Sequence, residues 1–243
     1  MKKELMLIYV VFLTLISNIL LGQDQRDSLL FQDLNIYRPG TEFIFDAYLR
    51  NSKGDTLTYE EIIIHPTGKV WGSDPQAELL YLFTFTKEDS VKYAQKRRNQ
   101  YSDNWIRIRS EGFVEWNNMF IWMHPIRVNQ YYLTQLSPYP EMQLPPEIGK
   151  EWDNILTGQD SGMKLVNKYK VSGFETRKYS FGYLFSCWKI NAVATLPNGH
   201  ENKVEFYFNE KYGFTEYHYL SHEGERIDFI LKSYREIVNH KAN

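Results

Sequence analysis

The sequence predicts a mainly β protein, built as a curved antiparallel sheet or an open barrel with one or two short helices. Two observations favour this fold class. Most apolar residues after about residue 32 come in short runs that alternate with polar residues, which is typical of half-buried strands. Turn residues separate these runs at short intervals, which favours an antiparallel meander over a fold of alternating strands and helices.

The chain opens with the three-part layout of a secretory signal peptide. Basic residues precede an apolar stretch from Leu5 to Leu21, after which the chain turns polar. We therefore expect a signal peptide over residues 1–22 and a single β-rich domain over residues 23–243, exported to the periplasm or the cell exterior. An uncleaved membrane anchor is the alternative interpretation, because the apolar stretch lies at the lower edge of bilayer-spanning length. Gln23 stands where a bacterial lipoprotein carries its Cys, so we expect a protein that is not lipidated.

The first half of this domain predicts a hairpin and two further strands. Thr41 to Arg50 alternates polar and apolar side chains, and a turn over residues 51–55 leads into Leu57 to Ile64. The same alternation predicts strands at Leu79 to Phe85 and at Trp105 to Arg109.

Two segments interrupt the strands. Thr86 to Asn99 begins with a Thr cap and acidic residues and ends with basic residues, which predicts a short helix. Residues 137–149 hold four prolines, so we interpret them as a rigid Pro-rich connector between two halves. After this connector the chain predicts an antiparallel meander, in which Asn198-Gly199 is the strongest turn signal. Its predicted strands are 152–156, 163–171, 183–195, 203–208, 214–220 and 226–234.

Charge and motif content exclude several classes of function. The formal net charge is −2 and the pI is about 6.3, so we expect no nucleic-acid partner, which would require a clustered basic face. A single Cys excludes an internal disulfide framework and a Cys-based zinc site. The sequence lacks a phosphate loop, a nucleophile elbow and a dinucleotide fingerprint, so we expect no cofactor and assign no catalytic residue.

Several polar residues are better explained by structure than by chemistry. His218 and His222 have the spacing of helical zinc ligands, but their segment predicts a strand that runs into a turn, so we expect solvated histidines and no metal. His65-Pro66 and His124-Pro125 each follow an apolar run, and we interpret both as strand ends. Cys187 lies in an apolar strand without an adjacent His, which predicts a buried, inert thiol.

Aromatic residues, at 16 % of the chain, are the remaining functional signal. Most are expected to fill the core, because large rings contribute most to burial. In a curved sheet, some rings could also line a pocket for an acyl chain or a glycan. The candidate cavity walls, chosen because they lie on predicted strands, are Phe83, Phe85, Trp105, Trp116, Trp122 and Trp188.

The second half also contains an ordered series of short motifs. They are Ile148 to Trp152, Val171 to Glu175, Phe181 to Ile190, Val204 to Phe208 and Tyr212 to Phe214. This order, over residues 145–234, resembles uncharacterised exported bacterial proteins of the lipoprotein-carrier-like class, and the composition resembles exported proteins of Bacteroidetes. The resemblance implies a strongly curved antiparallel sheet shielded by a helix or loops, as in the LolA-like and LppX-like folds, with lipid held on the concave face.

These observations lead to one function hypothesis and two alternatives. We expect an exported, non-enzymatic β-rich protein that binds a hydrophobic small molecule or lipid, such as an acyl ligand. The first alternative is a cell-envelope interaction module whose exposed aromatic residues contact another protein. The second is a hydrolase that uses scattered carboxylates or histidines. A deep apolar cavity would support the binding protein, and a flat aromatic patch would support the interaction module. A polar cleft with clustered His, Asp or Glu would support the hydrolase.

Overall fold

The computed structural model describes residues 35–72, 75–89, 105–116, 119–157 and 164–237; the predicted signal peptide lies outside them. Within these residues twelve strands form one curved, unclosed antiparallel sheet, which confirms the predicted fold class. The strands are β1 (Thr41–Arg50), β2 (Thr56–Val70), β3 (Ala77–Phe83), β4 (Ile108–Trp116), β5 (Phe120–Met123), β6 (Glu141–Gln143), β7 (Glu151–Thr157), β8 (Lys164–Lys178), β9 (Leu184–Thr195), β10 (Glu201–Asn209), β11 (Gly213–Leu220) and β12 (Arg226–Glu236).

The sheet consists of two meanders joined at its centre. Strands β1 to β6 and β7 to β12 each follow chain order, and β1 pairs with β12, so β6 and β7 are the two edges. These edges lie close together. The Asn154 amide donates a hydrogen bond to the Glu141 carboxylate over 2.7 Å, and the Tyr169 hydroxyl donates to the Tyr139 carbonyl oxygen over 3.0 Å. The sheet therefore curls until its edges face each other across a gap between β6 and β7, which we call the seam.

Alternation along the strands places the hydrophobic core on the concave side. In β1, Phe43, Phe45, Ala47 and Leu49 are all buried, because every second side chain of a strand faces the same side of the sheet. The predicted hairpin is thereby confirmed, with β1 and β2 paired on either side of the turn over residues 51–55.

Residues 124–140, which we call the plug segment, fill the space under the curved sheet. They include a 3₁₀ helix, Asn129–Leu136. Tyr131 in this helix is fully buried, and its ring packs against Phe83 of β3 and Phe229 of β12. A cavity between the plug segment and the sheet measures only about 10 Å³, roughly the space of one water. Among the described residues, the space between the plug segment and the sheet is therefore closely packed.

Two buried carboxylates hold the plug segment in place. Glu60 of β2 accepts hydrogen bonds from the Gln130 amide at 2.6 Å and the Tyr131 hydroxyl at 3.0 Å. Glu111 of β4 accepts two hydrogen bonds from the Arg127 guanidinium, at 3.0 and 2.6 Å. A buried carboxylate without such donors is costly, so each carboxylate and its donors stabilise one position of the plug segment.

The six strands predicted for the second half are confirmed, and two predictions in the first half are wrong. The strand expected at Trp105 to Arg109 begins only at Ile108. His65-Pro66 does not end a strand, because β2 continues to Val70 after a register shift that follows Pro66. By contrast, His124 does follow the last residue of β5, as expected.

The start of the predicted helix is confirmed. Residues 87–89 are helical, and Thr86 and Asp89 cap each other: the Asp89 N–H donates to the Thr86 hydroxyl over 3.0 Å, and the Thr86 N–H donates to the Asp89 carboxylate over 3.1 Å. The rest of this predicted helix, residues 90–99, lies outside the described residues.

Candidate functional site

A groove of about 730 Å³ lies along the seam. We call it the seam groove. Its walls combine apolar side chains with primary amides and one carboxyl group. The lining residues are Gln76, Val114, Met119, Phe120, Trp122, Glu141, Gln143, Leu144, Asn154 and Leu156.

Strand register explains why these side chains converge. Trp122 is paired with Glu141, and both lie on the face of the sheet opposite to the core residue Met142. On the other side of the seam, Leu156 is paired with the buried Leu165, so it lies on the concave face of β7. The seam groove is thus formed where the outer face of one sheet edge meets the concave face of the other edge.

Trp122 forms the aromatic wall of the groove and is held by other rings. Its centroid lies 4.7 Å from that of His124 and 5.8 Å from that of Tyr139. Burial lowers the pKa of His124 to about 4, so this imidazole is neutral at neutral pH. The ring cluster therefore presents an uncharged surface to the groove.

Glu141 is the ionisable group among the groove's lining residues, and it is largely buried. Burial raises the pKa of this carboxyl above its usual value, although the hydrogen bond from Asn154 opposes the shift. The nearest described ammonium group along the chain, that of Lys150, donates instead to the carbonyl oxygens of Gln143, Leu144 and Pro145 over 3.0 to 3.4 Å.

Buried amide groups without partners lie at the same place. The Oε1 atom of Gln76 is buried and accepts no hydrogen bond from the described residues. Asn167 is completely buried one strand in from the edge, paired in register with Asn154, and neither its amide nitrogen nor its amide oxygen has a partner there. Buried polar groups are nearly always hydrogen-bonded, so such groups indicate a water or ligand position.

A second cavity, of about 500 Å³, adjoins the same β4–β5 hairpin and shares Leu144 with the seam groove. We call it the end cleft. Trp116 lies half exposed in its wall, with its ring edge against Phe120 at 5.1 Å. Its lining residues are Asn35, Ile36, Glu115, Trp116, Ile121, Leu144, Pro145, Pro146, Phe208 and Glu210.

The structure does not bring the six predicted cavity-wall rings into one site. Phe83 is a core residue, and Phe85 is buried with Trp105 packed edge-on to it at 4.8 Å. Trp122 lines the seam groove and Trp116 the end cleft. Trp188 lies apart, with its ring 4.5 Å from that of Phe174. The role of each ring as a ligand contact stays a prediction.

The histidines predicted to be solvated are placed differently. His218 lies within β11, and its ring nitrogens lie 2.7 Å from Asp228 and 2.9 Å from Glu216. Arg177 donates two hydrogen bonds to Glu216, at 2.9 and 2.7 Å. Burial alone would raise the pKa of Glu216, but hydrogen bonds from His218 and Arg177 lower it to about 2. Arg177 pairs with Glu216 and Arg50 pairs with Asp228, so we assign this cluster to stability.

The other residues considered for chemistry, His222 and Cys187, also pack against neighbouring side chains. His222 follows β11, with its ring stacked on that of His200 at 4.8 Å. The described part of the chain contains no group of three or more His, Cys, Asp or Glu residues arranged to hold a metal ion. Cys187 is fully buried, which confirms that prediction, and burial raises the pKa of its thiol.

Sequence reasoning missed the polar residues of the seam. Glu141 was included only as part of the Pro-rich connector, although it belongs to the short edge strand β6. Asn167 lies between the buried Leu165 and Tyr169 on its face of β8, and Asn154 lies between the buried Trp152 and the half-buried Leu156 on β7. An amide at such a position is the signal that could have identified them.

No family model matches the chain, and no curated protein matches it. Two solved structures are similar to it. One is from Bacteroides fragilis and is described as a "putative exported protein with YmcC-like fold"; it is 8 % identical, covers 82 % of this chain and 97 % of its own, and has a TM-score of 0.46. The other is a "putative lipoprotein" from Parabacteroides distasonis, 10 % identical, with the same two coverages and a TM-score of 0.44. Among the residues that the structure describes, no helix has the length and hydropathy needed to cross a membrane.

Proposed function

We propose that this chain is an exported, non-enzymatic binding protein that holds a ligand with a hydrophobic or acyl part in the seam groove. The observation that carries the proposal is the groove itself. Its volume of about 730 Å³ falls within the range of roughly 300–1,000 Å³ that is typical of ligand sites. Its walls are mostly apolar with a few polar groups, which is the usual composition of such sites. The predicted signal peptide supports export.

The packed concave face supports placing the ligand at the seam. The resemblance to lipoprotein carriers would put lipid under the curved sheet, but Tyr131 and the rest of the plug segment occupy that space. An acyl chain in the seam groove would instead contact Trp122, Phe120 and Leu156 without displacing the plug segment.

The proposal is tested by asking whether lipid co-purifies with the protein. The full chain is expressed with its own leader, purified without detergent and analysed by native mass spectrometry, followed by organic extraction. We expect a bound acyl species in the wild type and its loss in Leu156→Arg, which introduces a charge into the groove wall. The matched control is Ile155→Arg, whose side chain is on the opposite face of β7 and 61 % exposed.

Either of two outcomes would contradict the proposal. In the first, the wild type carries no acyl species and takes up no added oleate or phospholipid. In the second, the two arginine variants lose bound lipid equally. Far-UV circular dichroism of both variants establishes that each retains the sheet.

A second function, a cell-envelope interaction module, is favoured by the end of the β8–β9 hairpin. Phe174, Tyr183 and Leu184 are all more than half exposed there, beside the half-buried Trp188. Exposed aromatic clusters of this kind are typical of protein interfaces. A photo-crosslinking amino acid at position 184, compared with one at exposed position 203 on β10, tests this role in cells. We expect one discrete crosslinked partner from position 184 alone; equal crosslinking from both positions would contradict the module.

A further inference from the structure

We infer that the polar part of the ligand is uncharged and carries hydroxyl or amide groups, which makes the ligand a neutral amphiphile. This inference rests on the proposed function of the seam groove and names the chemical class of its ligand. It depends on three properties of the groove: the charges around it, the unpaired amides beside it, and the position of both relative to the apolar wall.

The charges of the groove do not suit an anionic head group. The lining residues that the structure describes include no Lys, Arg or His. Lys150, at the end of the seam, already donates to three backbone carbonyl oxygens, and the neighbouring His124 is half-buried and neutral at neutral pH. A carboxylate or phosphate placed in the groove would thus lose its hydration without gaining a cationic partner, which is costly.

Glu141 does not suit a cationic head group well either. Its carboxyl is buried, and its Oε2 atom already accepts a hydrogen bond from Asn154. Burial favours the protonated, neutral form of this carboxyl, whereas a permanent cation would require the ionised form. A neutral hydroxyl group can donate to the ionised form or accept from the protonated form, so it fits the carboxyl in both states.

The amides supply the complementary hydrogen-bonding groups. Gln76, Gln143 and Asn154 line the groove, and each primary amide offers both donors and an acceptor. Within the described part of the chain, the Oε1 atom of Gln76 is buried without a donor, and both amide atoms of Asn167, directly beside Asn154 in register, are without partners. Hydroxyl and amide groups satisfy donors and acceptors together, which an anion or a quaternary ammonium cannot do.

The polar and apolar groups are arranged along the groove in a way that suits an amphiphile. Glu141 lies opposite Trp122 and Gln143 lies opposite Phe120 across the β5–β6 pair, so one carboxyl and one amide adjoin the rings. A ligand with a glycerol or sugar head and an acyl tail would bury its tail on the rings and Leu156 while its hydroxyl groups reach the amides.

The experiment compares three amphiphiles that share one twelve-carbon chain. Isothermal titration calorimetry is carried out with the full-length protein and with 1-monolauroylglycerol, laurate and dodecyltrimethylammonium, each below its micelle concentration. We expect 1-monolauroylglycerol to bind at least about tenfold more tightly than the two charged probes. Glycerol and dodecyl maltoside serve as further probes, to separate the contributions of the head and tail and to distinguish a glycerol head from a sugar head.

Variants connect the preference to the seam. Asn154→Leu keeps the size of the side chain but removes the amide, and should weaken 1-monolauroylglycerol binding about tenfold while leaving laurate binding unchanged. Glu141→Gln removes the ionisable carboxyl of the groove and tests whether binding of dodecyltrimethylammonium requires its negative charge. Ile155→Ala, on the opposite face of β7, is the control and should bind like the wild type.

The outcomes separate this inference from the proposed function. Laurate or dodecyltrimethylammonium binding as tightly as 1-monolauroylglycerol would overturn the inference while leaving a binding groove. Loss of dodecyltrimethylammonium binding in Glu141→Gln, with tight binding in the wild type, would assign a cationic ligand instead. If no probe binds to the wild type, the proposed function itself fails.

Discussion

Buried carboxylates are the residues on which the packed interior depends. Glu60 accepts four hydrogen bonds, from the side chains of Gln130 and Tyr131 and from the backbone N–H groups of Thr84 and Phe85. Burial raises its pKa, but these four donors oppose the shift. One side chain therefore links β2, the end of β3 and the plug segment.

Replacing Glu60 should be strongly destabilising. Glu60→Ala leaves four donors without their acceptor, so we expect the free energy of unfolding to fall by at least about 3 kcal/mol. Its chain neighbour provides the control: Glu61→Ala removes a half-exposed surface ion pair with Lys232 and should cost less than about 1 kcal/mol. Urea denaturation followed by tryptophan fluorescence measures both, and equal losses would contradict the role given to Glu60.

The Glu216 carboxylate should make the protein less stable in acid. Its pKa in the folded state is about 2, below the usual 4.5, so its stabilising effect is complete above pH 4.5 and is lost as the pH falls towards 2. We expect this group alone to lower the free energy of unfolding by about 2 kcal/mol between pH 6 and pH 3.

Comparison with Glu216→Gln isolates this contribution. The raised pKa values of Glu60 and Glu141 act in the opposite direction, but both proteins share them, so they cancel in the difference. The variant should lose less stability than the wild type between the two pH values, as measured by urea denaturation. An unchanged pH dependence in Glu216→Gln would show that the cluster does not act in this way.

At the scale of elements, the plug segment fills the space under the sheet, and the turns connect its strands. The plug segment hydrogen-bonds to the sheet through backbone groups at its two ends, His124 and Pro140, and between them is attached through side chains such as Arg127 and Gln130. Its order therefore depends on a few polar contacts, whereas β1 and β12 also share an extended ladder. We therefore expect the plug segment to open locally at a lower free energy than the β1–β12 pair.

Arg127→Met should loosen the plug segment without unfolding the sheet. Among the described residues, it leaves the buried Glu111 with Arg109 as its remaining guanidinium partner, at 2.8 Å. Hydrogen–deuterium exchange with mass spectrometry should show faster exchange in peptides from residues 124–140 and little change in β10 and β11. Lys170→Met, which removes an exposed ion pair with Glu151, is the control and should leave exchange in residues 124–140 unchanged.

Substitutions at two glycine turns distinguish the cost of backbone strain from the cost of a steric contact. Gly199 and Gly213 both have positive φ, 82° and 70°, but a Cβ at Gly199 meets open space whereas one at Gly213 would lie 2.3 Å from the Tyr37 hydroxyl. Gly199→Ala should therefore cost about 1 kcal/mol of unfolding free energy from strain alone. Gly213→Ala should cost at least about 3 kcal/mol, since Tyr37 also accepts the Phe214 N–H. Thermal denaturation that shows equal losses would contradict this distinction.

For the whole molecule, sequence patterns predicted the sheet but not how it is filled. Alternating residues such as Phe43 and Phe45 reveal strands because the period is local, and Asn198-Gly199 reveals a turn for the same reason. The plug segment depends on contacts between residues far apart in the chain, such as Gln130 with Glu60 in β2, which no local pattern contains.

The candidate site was equally inaccessible from local patterns. Trp122 was chosen because it is aromatic and lies on a predicted strand, and it does line the seam groove. Asn154, Asn167 and Glu141 were not chosen, because their importance arises only where β6 meets β7 and the two edges of the sheet come together.

The pairing of β1 with β12 implies that strand order around the sheet is a circular permutation of strand order along the chain. Read from β7 through β12 to β1 and on to β6, the sheet is a plain up-and-down meander. The chain ends of this sheet already meet, since the Ile237 N–H donates to the Gly40 carbonyl oxygen over 2.6 Å.

A protein that begins at Ile148, ends at Glu147 and joins residue 237 to residue 35 by a flexible linker keeps the buried Tyr37 and should therefore retain the same sheet, in which only the β1–β12 pair changes its connection. Far-UV circular dichroism and thermal denaturation measure this. Because β1 and β12 would become a local hairpin, we also expect the permutant to refold faster than the parent chain.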